Sequence, residues 1–109
     1  MTPIVSVVMA TYNASHLLRY AIASLQLQDF RDWELIVVSD HSPDDTEAVV
    51  ASFADDRIRF IELPTNSGQQ ATPNNVGMAA ARGEYLAFLN PDDLYLPDHL
   101  AANLACIRE

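Results

Sequence analysis

Two adjacent carboxylates, Asp92 and Asp93, stand just after the apolar run Tyr85 to Leu89, separated from it by the turn formers Asn90 and Pro91. Carboxylates so placed suit a divalent cation, because hard cations take oxygen ligands and open α/β sheets bind ligands beyond the carboxyl ends of their strands. The same residues also make good turn chemistry, since Pro presets one turn residue and Asp side chains cap nearby amides. Two other polar groups follow apolar runs in the same way. Thr11, Tyr12 and Asn13 come after Ile4 to Ala10, and Asp40, His41 and Ser42 come after Trp33 to Ser39. If these runs are parallel strands, their carboxyl ends share one edge and three loops converge on one crevice. The plainer alternative is that each group only caps a helix.

The intervening segments decide whether such a sheet forms. Leu18, Ala21, Ile22 and Leu25 recur at helical spacing behind Ser15, a natural N-cap. Ser42-Pro43-Asp44-Asp45 reads as a second helix start, with Ser42 capping, Pro43 in the first helical position and acidic residues in the first turn. Arg57 to Leu63 alternates, as an edge strand does, and a polar loop runs from Pro64 to Thr72 around Ser67-Gly68. Pro73 then begins a short helix closed by Gly83. The buried strand Tyr85 to Leu89 and a final helix from Pro97 to about Arg108 complete the order, with Leu100, Leu104 and Ile107 on one helix face. Strict alternation of strand and helix predicts an α/β fold: an open, mainly parallel Rossmann-like sheet with helices on both faces, in one domain spanning residues 1–109.

Composition removes several function classes. The chain has 109 residues, half of them apolar, enough for one compact core. Its net charge is −9, which disfavours nucleic acid and anionic membranes as partners. No apolar run is long enough to span a bilayer, and the N-terminus has no basic start of a signal peptide. Cys106 is the only cysteine, which excludes a disulfide framework and fits a reducing, cytoplasmic setting. Six arginines and no lysine exclude the P-loop and Schiff-base chemistry. A phosphorylated ligand would then need a metal ion or backbone amides to offset its charge.

Three stretches, VSVVMATYN, LIVVSDHSPDDT and NNVGMAAARGEYLAFLNPDDLYLP, resemble the family 2 glycosyltransferases of the GT-A fold, in the same order and spacing over almost the whole chain. The resemblance implies a nucleotide-diphospho-sugar donor of the UDP type and a role in cell-envelope polysaccharide synthesis. It assigns Thr11, Tyr12 and Asn13 to the nucleotide pocket, Asp40 to the base, and Asn75 and Asn90 to further nucleotide contacts. Asp92 matches the main ligand of Mn²⁺ or Mg²⁺, with Asn90 and Asp93 as weaker candidates. That ion would bridge the two donor phosphates and neutralise the leaving diphosphate.

Three positions depart from the family pattern. Ser39-Asp40-His41-Ser42 keeps one Asp of the usual Asp-Asp-Gly-Ser; Asn74-Asn75-Val76-Gly77 lacks the usual Arg; Asn90-Pro91-Asp92 replaces the usual Asp-x-Asp with an uncharged first member. Weaker metal binding is expected. In that family a second half supplies the acceptor site and the general base, and neither Asp93 nor His99 matches that base. The isolated chain is therefore expected to bind a donor and to be inactive, with its catalytic base unassigned. The free side of the strand 85–89, or the last helix, is expected to pair with another copy in a homo-oligomer. Two other readings compete: a non-catalytic nucleotide-binding or assembly module of the same fold, and a flavodoxin-like phosphoacceptor domain, which usually needs a lysine.

Overall fold

A computed structural model of the chain describes residues 2–108. Four strands, β1 (Val5–Thr11), β2 (Trp33–Ser39), β3 (Ile58–Glu62) and β4 (Tyr85–Phe88), alternate with four helices, α1 (Ser15–Gln26), α2 (Thr46–Ala51), α3 (Ala71–Ala80) and α4 (His99–Arg108). The strands pair in the order β3-β2-β1-β4, and every pairing is parallel. All residues of the central strands β1 and β2 are buried, which is why their sequences run apolar without alternating.

The sheet is covered on both faces. Val7 and Met9 of β1 and Leu35 and Val37 of β2 meet Leu18, Ile22 and Leu25 of α1, Val49 and Val50 of α2, and Leu100 and Leu104 of α4. On the opposite face Ile36, Val38 and Leu63 pack against Val76 and Ala80 of α3. Helix α3 lies close because Gly77 faces β1: a Cβ there would sit 2.5 Å from Val8 Cγ1. The chain thus goes from β1 to β2 and β3 on one side, then returns through α3 to place β4 on the other side of β1. That reversal opens a crevice at the carboxyl ends of β1 and β4.

Several local expectations are corrected. Tyr85–Leu89 is not buried on both faces. β4 is a four-residue edge strand in which Tyr85 and Ala87 pack on the core while Leu86 and Phe88 are 48% and 49% exposed. The reason is that α3 lies over β1 and β2 and leaves β4 uncovered on that face. Ser15 is the first residue of α1, not its cap; its N–H donates instead to Asp44 Oδ2 at 3.0 Å. Ser42 does not start α2, which begins at Thr46 after Asp45. Its hydroxyl accepts the Asn13 N–H at 3.0 Å and its own N–H donates to Ser39 Oγ at 3.1 Å, so it laces two loops together. Helix α3 begins at Ala71, two residues before Pro73. Proline is tolerated there because first-turn N–H groups have no helical acceptor. Helix α4 starts at His99 rather than Pro97, and Ile107 is 61% exposed while Leu100 and Leu104 are buried. Strand β3 is at the sheet edge, as its alternation predicts.

Candidate functional site

A cleft of about 690 Å³ opens at the carboxyl ends of the strands. It gathers Thr11 and Tyr12 from the end of β1, Asp40 from the end of β2, and Asn90 and Asp92 from the loop after β4. Asn13, Asn75 and Asp93 are not part of its wall. Asn13 is exposed with a left-handed backbone (φ 51°) and spends its N–H on Ser42. Asn75 lies exposed on α3, and Asp93 sits behind Asn90, accepting its Nδ2 at 3.2 Å.

Asp40 is the most firmly placed acid of the cleft. It is buried, its N–H donates to the Thr11 carbonyl at 2.9 Å, and its carbonyl accepts Asn66 Nδ2 at 2.9 Å. Ser67 addresses the carboxylate twice, with its N–H on Oδ1 and its hydroxyl on Oδ2, both at 2.9 Å. An ionised carboxylate has about four acceptor positions, so roughly half remain for a ligand. Thr11 Oγ1 is buried and has no hydrogen-bond partner, which leaves a ligand or a water to satisfy it.

A fourth loop joins the three strand-end loops to which the sequence points. The loop after β3 ends at the same sheet edge, and it contributes Asn66, Gly68, Gln69 and Gln70 to the wall. Its position after a parallel strand was the available clue. Gln70 Nε2 donates to Asn90 Oδ1 at 3.2 Å across the mouth of the cleft.

The donor set for a divalent ion is sparse. Asn90 Oδ1 is engaged by Gln70 and its Nδ2 by Asp93, so in the loop after β4 Asp92 is the carboxylate facing the cleft. Among the described residues no group of three His, Cys, Asp or Glu side chains is close enough to hold a metal. A single carboxylate still fits an ion that brings most of its oxygen ligands with it, as Mg²⁺ does when bound to phosphates and water.

Cations are held elsewhere. At the amino ends of the strands Glu34, paired in register with Ser6, accepts Arg59 Nη2 at 2.9 Å and Arg82 Nη2 at 3.1 Å. Burial raises its pKa, but the Ser6 hydroxyl, the Arg82 N–H and guanidinium, and the charge of Arg59 outweigh burial and hold it below the usual value. Arg59 also donates to the Ala80 carbonyl at 2.6 Å, capping α3 at its negative end. Arg82 is thus structural, as its place beside Gly83 suggests. His41 has a left-handed backbone (φ 58°), a conformation that suits the glycine expected there from the resemblance, and its Nδ1 lies 3.2 Å from the Leu63 carbonyl. His99 stacks on Tyr95 with ring centroids 4.0 Å apart, beside β4 and away from the cleft. Burial, with the charge of Asp93, pushes the Tyr95 hydroxyl up to about 12.

Residues 6–108 match the family model for glycosyl transferase family 2. The chain belongs to that family. The family 2 chain is 42% identical over 102 residues to the GalNAc(5)-diNAcBac-PP-undecaprenol beta-1,3-glucosyltransferase of Campylobacter jejuni, covering 91% of this chain and 33% of that protein. Among solved structures it resembles S. aureus TarS in complex with UDP-GlcNAc, with a TM-score of 0.92 and 32% identity over 96% of this chain and 31% of that one. It also resembles a Pyrobaculum calidifontis mannosyltransferase in complex with GDP-Man and Mn²⁺, with a TM-score of 0.83 and 25% identity, covering 96% of this chain and 32% of that one. The family 2 chain therefore spans about a third of the length of these relatives. Its fold is that of GT-A glycosyltransferases. None of its described helices is long and apolar enough to cross a membrane.

Proposed function

We propose that this chain is the donor-binding part of a glycosyltransferase that takes a sugar from a nucleotide diphosphate of the UDP type. The observation that carries this reading is the convergence of Thr11, Asp40 and Asp92 on one cleft at the sheet's carboxyl edge, in a fold shared with a UDP-GlcNAc complex. Asp40, oriented by Ser67, accepts an N–H of the base, and the unpartnered Thr11 hydroxyl offers a further polar contact. Asp92 would hold Mn²⁺ or Mg²⁺ against the diphosphate, where the ion supplies neutralisation of the leaving group. Transfer breaks the bond between the anomeric carbon and the diphosphate and forms one to an acceptor hydroxyl, whose proton needs a general base. On this reading that base and the acceptor site lie outside the donor-binding part. Calorimetric titration of UDP and UDP-glucose, with and without Mn²⁺, into wild type and Asp92→Ala tests the reading. Metal-dependent binding lost in the variant supports it, and no binding under any condition overturns it.

One observation favours a second reading, a nucleotide-binding module without transfer: the amide of Asn90 is engaged by Gln70 and Asp93, which leaves Asp92 as the one carboxylate that the loop after β4 turns to the cleft. Equal UDP affinity with and without Mn²⁺ would select it. In either case we place the domain in the cytoplasm, where nucleotide sugars are available. The open edge of β4, with Leu86 and Phe88 exposed, pairs with a second copy of the chain in this reading. A monomer by light scattering at high concentration would exclude that assembly.

A further inference from the structure

The loop that carries Asp92 has little regular structure between β4 and α4, yet it is fastened from behind by the end of α1. Ser24 Oγ accepts the Tyr95 N–H at 3.1 Å, and the Asp29 N–H donates to the Pro97 carbonyl at 2.8 Å. Gln28, between them, is completely buried. Its Nε2 donates to the Leu96 carbonyl at 2.6 Å and to the Ser24 carbonyl at 3.3 Å. Its Oε1 accepts the Leu100 N–H at 3.0 Å, one of the first-turn amides of α4 that has no helical acceptor.

A buried primary amide is a poor choice for filling space. It loses its hydration and is tolerated only when its donors and acceptor are all engaged, whereas Leu or Met would fill the same volume without that condition. Here each partner other than Ser24 belongs to the segment after Asp92. Thr11 and Asp40 in the cleft wall, and Ser67 bonded to Asp40, come from β1, the end of β2 and the loop after β3, none of which Gln28 contacts through a hydrogen bond. The two ends of the cleft are therefore held by separate devices.

We infer that Gln28 is a positioning residue for the diphosphate end of the donor site: through Leu96 and Leu100 it fixes the loop that presents Asp92. The inference rests on the reading that Asp92 faces the donor's phosphates. It separates Gln28 from a residue needed for the fold alone, because loosening the loop affects the phosphates and spares the nucleoside.

The test compares UDP with uridine, titrated in the presence of Mn²⁺ into the wild-type chain, Gln28→Met and Ser24→Ala, and followed by amide chemical shifts. Gln28→Met preserves volume and removes the three bonds; Ser24→Ala removes the hold on Tyr95, together with the hydroxyl's bond to the Ala21 carbonyl within α1, and keeps the question answerable if the first variant does not fold. The expected result is a loss of about tenfold or more in UDP affinity for Gln28→Met, comparable to the loss of an outer-shell partner at a metal site. A smaller loss is expected for Ser24→Ala, with uridine affinity changed by less than about twofold in both. Equal losses for UDP and uridine, or an unchanged UDP affinity in both variants, would overturn the inference. A wild-type chain that binds neither probe would remove the donor-site reading itself, a result distinct from either of these.

Discussion

Ser67 holds both oxygens of the Asp40 carboxylate, its N–H on one and its hydroxyl on the other, each at 2.9 Å. The contact links the end of β2 to the loop after β3 and leaves the acid's remaining lone pairs to the cleft. Ser67→Ala removes the hydroxyl half of this grip and is expected to weaken uridine binding by about 1 kcal/mol, roughly fivefold. Asp40→Asn costs more, because one amide oxygen must replace two carboxylate oxygens. Amide shift titration with uridine checks both, and a Ser67→Ala variant that binds like wild type would show the grip to be irrelevant to the ligand.

Asn90 donates to Asp93 and accepts from Gln70, so an aspartate in its place changes two contacts at once. The bond to Asp93 becomes a repulsion between like charges, which destabilises the metal-free loop. The added carboxylate beside Asp92 also supplies a second hard ligand. Asn90→Asp is expected to bind Mn²⁺ about tenfold more tightly and to melt lower without it. Mn²⁺ titration with thermal denaturation reads both, and equal Mn²⁺ affinities would sink the idea.

The cluster around Glu34 makes a prediction about acid. Its folded pKa lies below the ordinary value of 4.5, so the unfolded chain takes up this proton more readily. The stabilisation is complete above about 4.5 and is lost as pH falls through the lower folded value. Glu34→Gln removes this dependence, and its stability should fall less steeply than that of wild type below that point. Near neutral pH the variant should be less stable by about 1.5–3 kcal/mol, with the hydrogen bonds from the Ser6 hydroxyl and the Arg82 N–H weighing more than the charge of Arg59. The Arg82 guanidinium, whose side chain is 58% exposed, is largely rehydrated and counts for less. Denaturant titrations across this acid range measure the difference.

Gly77 lets α3 lie against β1, and a methyl there would meet Val8 Cγ1 at 2.5 Å. Gly77→Ala gains helix propensity of about 1 kcal/mol but forces α3 outward, an overpacking cost of about 1–3 kcal/mol. Net destabilisation in a thermal melt is expected, with weaker ligand binding because Gln70 at the start of α3 moves too. A variant more stable than wild type would show that the contact relaxes freely.

The fold was readable in the residues because the central strands and helices leave periodic traces. The uninterrupted apolar runs of β1 and β2 mark buried strands, and Leu18, Ile22 and Leu25 mark the inner face of α1. The open edge of β4 was expected, but its bare face was not readable, since Leu86 and Phe88 look like core residues and only the placement of α3 leaves them exposed. Thr11, Tyr12, Asp40, Asn90 and Asp92 stand after strands in the sequence, and the structure brings them to one cleft. The roles of Ser67, legible only as part of a polar loop, and of Gln28 are not written in the local sequence. Each acts by hydrogen bonds to a segment distant in sequence, and a serine in a loop or a glutamine after a helix carries no local mark of such a partner.

The wall of the cleft carries no arginine, lysine or histidine among the described residues, in a chain of net charge −9. A dianionic nucleotide therefore approaches through a repulsive field rather than an attractive one. Added salt screens that field, with a Debye length of about 8 Å at physiological ionic strength. Capture of free UDP should then quicken as ionic strength rises, opposite to the behaviour of basic phosphate-binding surfaces. The same field favours the cation-loaded nucleotide over the bare one at encounter, so selection for the charge-neutralised donor begins before any contact is made.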